Sequence, residues 1–131
     1  MKGQSSLEFL AFVSLSLTML AVLSGVVVAE QSEFLSGQQS DASRKVADEV
    51  SFELEMALVQ GDYYSRVFSI PESIGGAPYS VNATRGALKI SWRNRTIVES
   101  TRFEGEAYLT TRNTNVFRAV HNSSGVFLVE T

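Results

Sequence analysis

The chain offers few groups able to carry out covalent or acid–base chemistry, and their placement argues against an enzyme. His121 is the only histidine and there is no cysteine. A serine nucleophile needs a base within hydrogen-bond reach to take its proton, and His121 is the one candidate. Without a thiolate or a second imidazole, a transition-metal site lacks its usual donors. His121 therefore reads as a surface or turn residue at a strand end, and neither a metal nor an organic cofactor is implied. Glu104 and Glu106 would supply the paired carboxylates of glycoside chemistry, yet at alternate positions of one strand they are more simply a solvated edge. Tyr63-Tyr64 reads as the start of a sheet core rather than a recognition platform. Three sequons, Asn82-Ala83-Thr84, Asn94-Arg95-Thr96 and Asn122-Ser123-Ser124, have no proline in the middle and are glycan acceptors on an exported chain. Asn94 and Asn122 fall on expected turns, where a glycan is tolerated. The most demanding group is Glu8, which stands directly before Phe9–Ala29, a run without charge or proline. A carboxylate at mid-bilayer costs roughly 2.5 kcal/mol or more, so its position needs a reason.

The elements that must position these groups follow from length and periodicity. With 131 residues the chain is one domain's worth, and about thirty of them belong to the apolar N-terminal stretch, which leaves room for only a small core. Eleven Lys and Arg against fourteen Asp and Glu give a net charge of −3, which removes the electrostatic basis for binding nucleic acid or an anionic membrane surface. Residues 9–29 match the ~20 residues that cross ~30 Å of hydrocarbon. Beyond them Ala42, Val46, Ala47, Val50, Leu54, Ala57 and Leu58 recur at steps of three and four, one stripe of an amphipathic helix. Ser40 or Asp41 is a suitable cap and Gly61 a suitable stop. Arg44 with Asp48 and Lys45 with Glu49 form i,i+4 pairs worth ~0.2–0.5 kcal/mol each. Phe52, Met56 and Val59 lie off the stripe, free to face the sheet or a neighbour. One long helix over 4–61, softened at Gly37, accommodates all of this.

From residue 62 the period changes. Residues 66–70, 78–84, 86–92, 96–100, 107–112, 116–121 and 126–130 read as strands, with Leu88, Ile90 and Trp92 on one face of the third. Arg93-Asn94 and Asn122–Gly125 are turn compositions. The expected β domain, 62–131, is an antiparallel sheet of five to seven strands covered by the amphipathic stripe.

Three membrane readings fit the N-terminus. A secretory signal would be cut after Val27-Val28-Ala29, but the apolar run is too long and the basic region is a single lysine. A plain signal anchor leaves Glu8 unexplained. The third rests on the motif Gly3-Gln4-Ser5-Ser6-Leu7-Glu8-Phe9, which resembles the class III signal sequence of euryarchaeal type IV pilin-like proteins: a short basic leader, glycine, then Gln-x-Ser-x-Glu-Phe and an apolar stretch. The resemblance implies that a prepilin peptidase removes residues 1–3, cutting between Gly3 and Gln4 and reading Gly3, Gln4, Ser6, Glu8 and Phe9. Glu8 becomes the fifth residue of the mature chain, where type IV pilins carry their glutamate. Residues 63–92, with YYSRVFSIP, APYSVNAT and ALKISW, are also similar to archaeal pilin-like domains. Archaeal motility-filament subunits lack this glutamate pattern, which disfavours that sister family.

The expected fold is thus α+β, a pilin-like lollipop of long N-terminal helix and antiparallel β headgroup. The expected function is that of a structural, non-enzymatic subunit of an archaeal type IV pilus-like filament for adhesion, held in the cell membrane as a precursor and then extracellular. Its partners are further copies of itself, other pilins, the prepilin peptidase and the pilus assembly machinery, with contacts beginning at Glu8, Phe9, Leu10, Phe12 and Val13. Outside the bilayer the apolar run needs another apolar environment, and at ~25 cal/mol per Å² a bundle of like helices supplies it. The alternative is a minor pilin or a membrane-anchored surface binding module.

Overall fold

A computed structural model describes the backbone of residues 2–131 and the side chains of residues 3–131. Met1 of the expected leader 1–3 lies outside the described residues. One helix, α1 (Lys2–Gln60), precedes seven strands: β1 (Ser65–Ser69), β2 (Tyr79–Thr84), β3 (Ala87–Trp92), β4 (Arg95–Ser100), β5 (Glu106–Thr110), β6 (Val116–Asn122) and β7 (Gly125–Glu130). The layout is α+β, as the change of period implies. The chain divides into a first unit ending at Gly37 and a second, Gln38–Thr131, which contains the second half of α1 and all the strands.

The helix is helical at Gly37 as elsewhere, because no proline or side chain interrupts its i to i−4 ladder there. Ser40 and Asp41 accordingly sit inside the helix rather than at its start; the Ser40 carbonyl accepts the Ser43 hydroxyl at 2.7 Å. The stop at Gly61 is as the sequence suggests: its φ is +77° and its N–H donates to Ala57 O at 3.3 Å. Arg44 pairs across to Glu99 at 3.7 Å rather than along the helix to Asp48.

The strands are all antiparallel and form two sheets rather than one, in the orders β1-β6-β7 and β4-β3-β2-β5. The division follows from residues 70–78, which hold Pro71, Gly75, Gly76 and Pro78 and cannot continue a ladder from β1 into β2. Two crossing segments are tied where they meet: Ile70 N–H donates to Asn115 O at 3.0 Å, and Tyr79 N–H to Thr111 Oγ1 at 3.0 Å.

In the second unit, Val46, Ala47, Val50, Leu54 and Ala57 of α1 are buried. They meet Phe68, Phe117, Ala119 and Val126 of one sheet and Val81, Leu88, Ile90, Trp92 and Leu109 of the other in a single cluster. Leu58, expected on the stripe, is half-exposed at its edge. Truncating a fully buried leucine such as Leu54 in a core like this costs about 2–5 kcal/mol. Tyr64 packs against the cluster, whereas Tyr63 is 98 % exposed with φ +72°. Tyr63 is therefore not core: the left-handed backbone that turns the chain out of α1 aims its ring at solvent.

Candidate functional site

The first unit is defined by what it leaves uncovered. Leu10 is exposed, as are Phe9 at 68 % and Phe12 at 71 %, while Val13 is half-buried among its helical neighbours. By length and composition α1 is able to cross a membrane. Three hydroxyls of the apolar run do not oppose that environment. Ser16 donates to Phe12 O at 2.9 Å, Thr18 to Ser14 O at 2.8 Å and Ser24 to Leu20 O at 2.8 Å, so these donors are satisfied within the helix itself, as a hydrocarbon surround requires.

Gly3, Gln4, Ser6, Glu8 and Phe9 occupy the first turns of α1, all exposed. Among the described residues, nothing apart from the adjoining residues and the helix's own backbone comes within 4 Å of where a Cβ on Gly3 would lie. Glu8 follows Leu7 and precedes Phe9, so a carboxylate is presented at the head of the apolar face. An exposed apolar helix of this length has the span and composition to anchor a chain in a membrane.

Asn82, Asn94 and Asn122 are all exposed. Asn94 lies in the β3–β4 turn and Asn122 ends β6, with its Oδ1 accepting from Ser124 N–H at 2.8 Å. Asn82 sits mid-strand on the outer face of the four-stranded sheet, opposite Tyr108, and accepts the Thr84 hydroxyl at 3.0 Å. On the same face a shallow groove of about 490 Å³ is lined by Ser80, Ser91, Trp92, Arg93, Tyr108 and Arg112, among others.

His121 is not the surface residue its position suggests. Its side chain is 18 % exposed, Nδ1 lies 2.8 Å from Ala57 O and Nε2 lies 3.8 Å from Asp62 Oδ1. It fastens the end of α1 to β6, a positioning role. Glu104 and Glu106 are exposed, the latter opening the edge strand β5. Among the described residues, no three His, Asp or Glu side chains converge as a metal site would require.

Two further carboxylates on α1, Glu53 and Glu55, are held by the fold. The Glu53 side chain is 4 % exposed, accepts Tyr64 Oη at 3.4 Å and pairs with Arg66 Nη1 at 3.4 Å. Glu55 accepts the Arg102 backbone N–H at 3.0 Å, Ser51 Oγ at 3.1 Å and Thr101 Oγ1 at 3.3 Å. The Arg102 N–H in particular holds the Glu55 carboxyl below its ordinary value, against the opposing effect of burial. Burial, followed by the charge of Glu49, pushes the Tyr79 phenol well above its ordinary value; its hydroxyl donates to Pro71 O at 2.7 Å. A signal for Glu53 was present, since it falls on the buried stripe beside Leu54.

Comparison of the chain with protein-family models, with curated proteins and with solved structures finds no match.

Proposed function

We propose that this protein is a structural subunit of a type IV pilus-like extracellular filament, made as a membrane-held precursor and assembled through the first half of α1. One observation carries the reading: the motif Gly3–Phe9 runs without interruption into an exposed apolar helix. An ordinary signal would be removed, and a plain anchor has no need of Glu8. In this scheme the peptidase cuts between Gly3 and Gln4 and the helix stays on the mature chain. The bilayer then stores the subunit, and a bundle of like helices replaces the lipid. Repeating one heterologous contact along a screw axis gives an open filament. The exposure of Asn82, Asn94 and Asn122 is compatible with glycosylation after export.

The test is intact-mass and terminal-peptide analysis of the mature protein, together with electron microscopy of filaments sheared from cells. A mature chain starting at Gln4 and found in filaments is the expected result. A start at Glu30 would mean an ordinary secreted protein and would end the filament reading. A start at Met1 would favour an anchored surface module, a reading that also has the hydroxyl-rich outer face of the four-stranded sheet in its favour.

A further inference from the structure

The unit Gln38–Thr131 carries two apolar faces that its own core leaves uncovered. The first is on α1: Phe52 is 52 % exposed and Val59 80 %, and with Met56 they follow steps of four and three. That spacing places them across the helix from the buried Val46, Val50, Leu54 and Ala57. The second is the outer face of the three-stranded sheet. Phe68, Phe117, Ala119 and Val126 point inward, so the alternate residues point out. The register aligns these in two rows, Val67–Arg118–Val129 and Ser65–Val120–Phe127. Val67, Phe127 and Val129 are exposed large apolar groups. Beside them is a groove of about 370 Å³ lined by Arg118, Val120, Val129, Glu130 and Thr131.

Since α1 packs on the inner faces of the sheets, the two patches lie on opposite sides of one compact unit. A single copy cannot close one upon the other, and a two-fold dimer would bury only one kind. Their charges are complementary. Arg118 stands at the centre of the sheet patch between Val67 and Val129. Asp48 and Glu49, both exposed, lie one turn before Phe52, with Lys45 a turn further back.

We infer that the β1-β6-β7 outer face of one copy docks the Phe52–Val59 face of a second copy. The inference rests on the filament reading and adds to it a headgroup contact separate from the apolar N-terminal helix. Phe52 enters the groove, its ring meets the Arg118 guanidinium and the flanking valines, and Asp48 or Glu49 pairs with that guanidinium. Because each copy presents one patch of each kind, the contact is heterologous and propagates.

The absence of cysteine makes a cross-linking test clean. Full-length chains carrying Phe52→Cys with Val129→Cys, and separately Val59→Cys with Val67→Cys, are oxidised in membranes and in sheared filaments, and both samples are viewed by electron microscopy. The expected result is a ladder of disulfide-linked multimers from at least one double variant and none from any single variant. Adding Arg118→Glu to the double variant lowers the linked fraction about tenfold, and Asp48→Lys with Glu49→Lys restores it. Filaments without a ladder overturn the contact and leave the filament reading standing. A ladder in membranes without filaments upholds the contact and removes the filament reading. Dimers from a single variant, or neither filaments nor ladder, overturn the contact.

Discussion

The imidazole Nδ1 of His121 lies 2.8 Å from the carbonyl oxygen of Ala57, in the last turn of α1. A carbonyl can only accept, so Nδ1 carries the proton. The backbone repeats the link: Tyr63 N–H donates to His121 O at 3.1 Å and His121 N–H to Tyr64 O at 3.0 Å. The Ala57 carbonyl already accepts the Gly61 N–H at 3.3 Å, and the histidine adds a second donor to this helix end from a strand distant in sequence.

Replacing His121 with Ala is therefore expected to destabilise the folded chain by about 1 kcal/mol, the net worth of a typical hydrogen bond, and more if Ala57 O is left dry. Chemical denaturation of the full chain measures the cost. Nitrogen chemical shifts of the wild-type imidazole should show the Nδ1–H form at neutral pH. A stability equal to wild type would mean that the Gly61 N–H, which also donates to Ala57 O, satisfies this carbonyl unaided.

Glu55 joins α1 to the segment after β4 through the Arg102 N–H and the Thr101 hydroxyl, with Ser51 on the same helix bonded to both Glu55 and Thr101, and its carboxyl is held below its ordinary value chiefly by the Arg102 N–H. A carboxyl lowered by folding stabilises the fold fully above its unfolded pKa, and the contribution is lost as the pH falls through the folded pKa. Wild type should thus lose stability on acidification across the carboxylate range, with a shallower dependence in Glu55→Gln. Denaturation midpoints between neutral and strongly acidic pH decide it. Parallel curves would show that other carboxylates dominate the acid response.

Much of this arrangement was legible beforehand, and the gaps have physical causes. The stripe from Val46 to Ala57 follows from the helical period, and the alternation of Leu88, Ile90 and Trp92 gave the buried side of β3. The separation into two sheets was not visible, because β1 pairs with β6 about fifty residues further on, and strand periodicity says which face is buried but not which strand is the neighbour. Residue type alone puts Tyr63 in the core; its positive φ takes it to solvent. The His121 contact was hidden for another reason. Its partner is a backbone carbonyl, present at every position and unmarked in any sequence. At the N-terminus the situation reverses, since the order Gly3-Gln4-Ser5-Ser6-Leu7-Glu8-Phe9 says more than the geometry of an exposed helix does.

Glu53 is buried on α1 and pairs with Arg66, whose side chain is 52 % exposed. Removing the arginine leaves a carboxylate with little water and only the Tyr64 hydroxyl at 3.4 Å. Arg66→Ala should cost about 1–3 kcal/mol, at the lower end because the arginine is half in solvent. Adding Glu53→Gln should recover part of the loss by removing the stranded charge. A double-mutant cycle by denaturation measures the coupling; additive losses would show that the pair contributes nothing.

Glu8 stands at the head of the apolar helix, where a charge opposes entry into any apolar surround unless it meets a partner. Cleavage after Gly3 would create one, the amino group of Gln4, on the same helix or on the adjoining subunit. Under the proposed filament reading, the carboxylate would penalise a subunit that enters the bundle out of register and reward one that meets the amine. Cyclisation of an N-terminal glutamine would remove that positive charge and leave neutral donors such as Ser5 and Ser6 or backbone N–H. Glu8→Val and Glu8→Gln separate these roles. Both variants should insert into the membrane, because each lowers the polarity of the helix head. Filament yield should fall at least about tenfold in Glu8→Val, equivalent to ~1.4 kcal/mol per docking event, and less in Glu8→Gln, which keeps hydrogen-bonding capacity without the charge. Cleavage, read by intact mass, must be scored in the same samples. If uncleaved chains account for the loss, the carboxylate serves peptidase recognition. If both variants are cleaved and assemble like wild type, Glu8 has no part in docking.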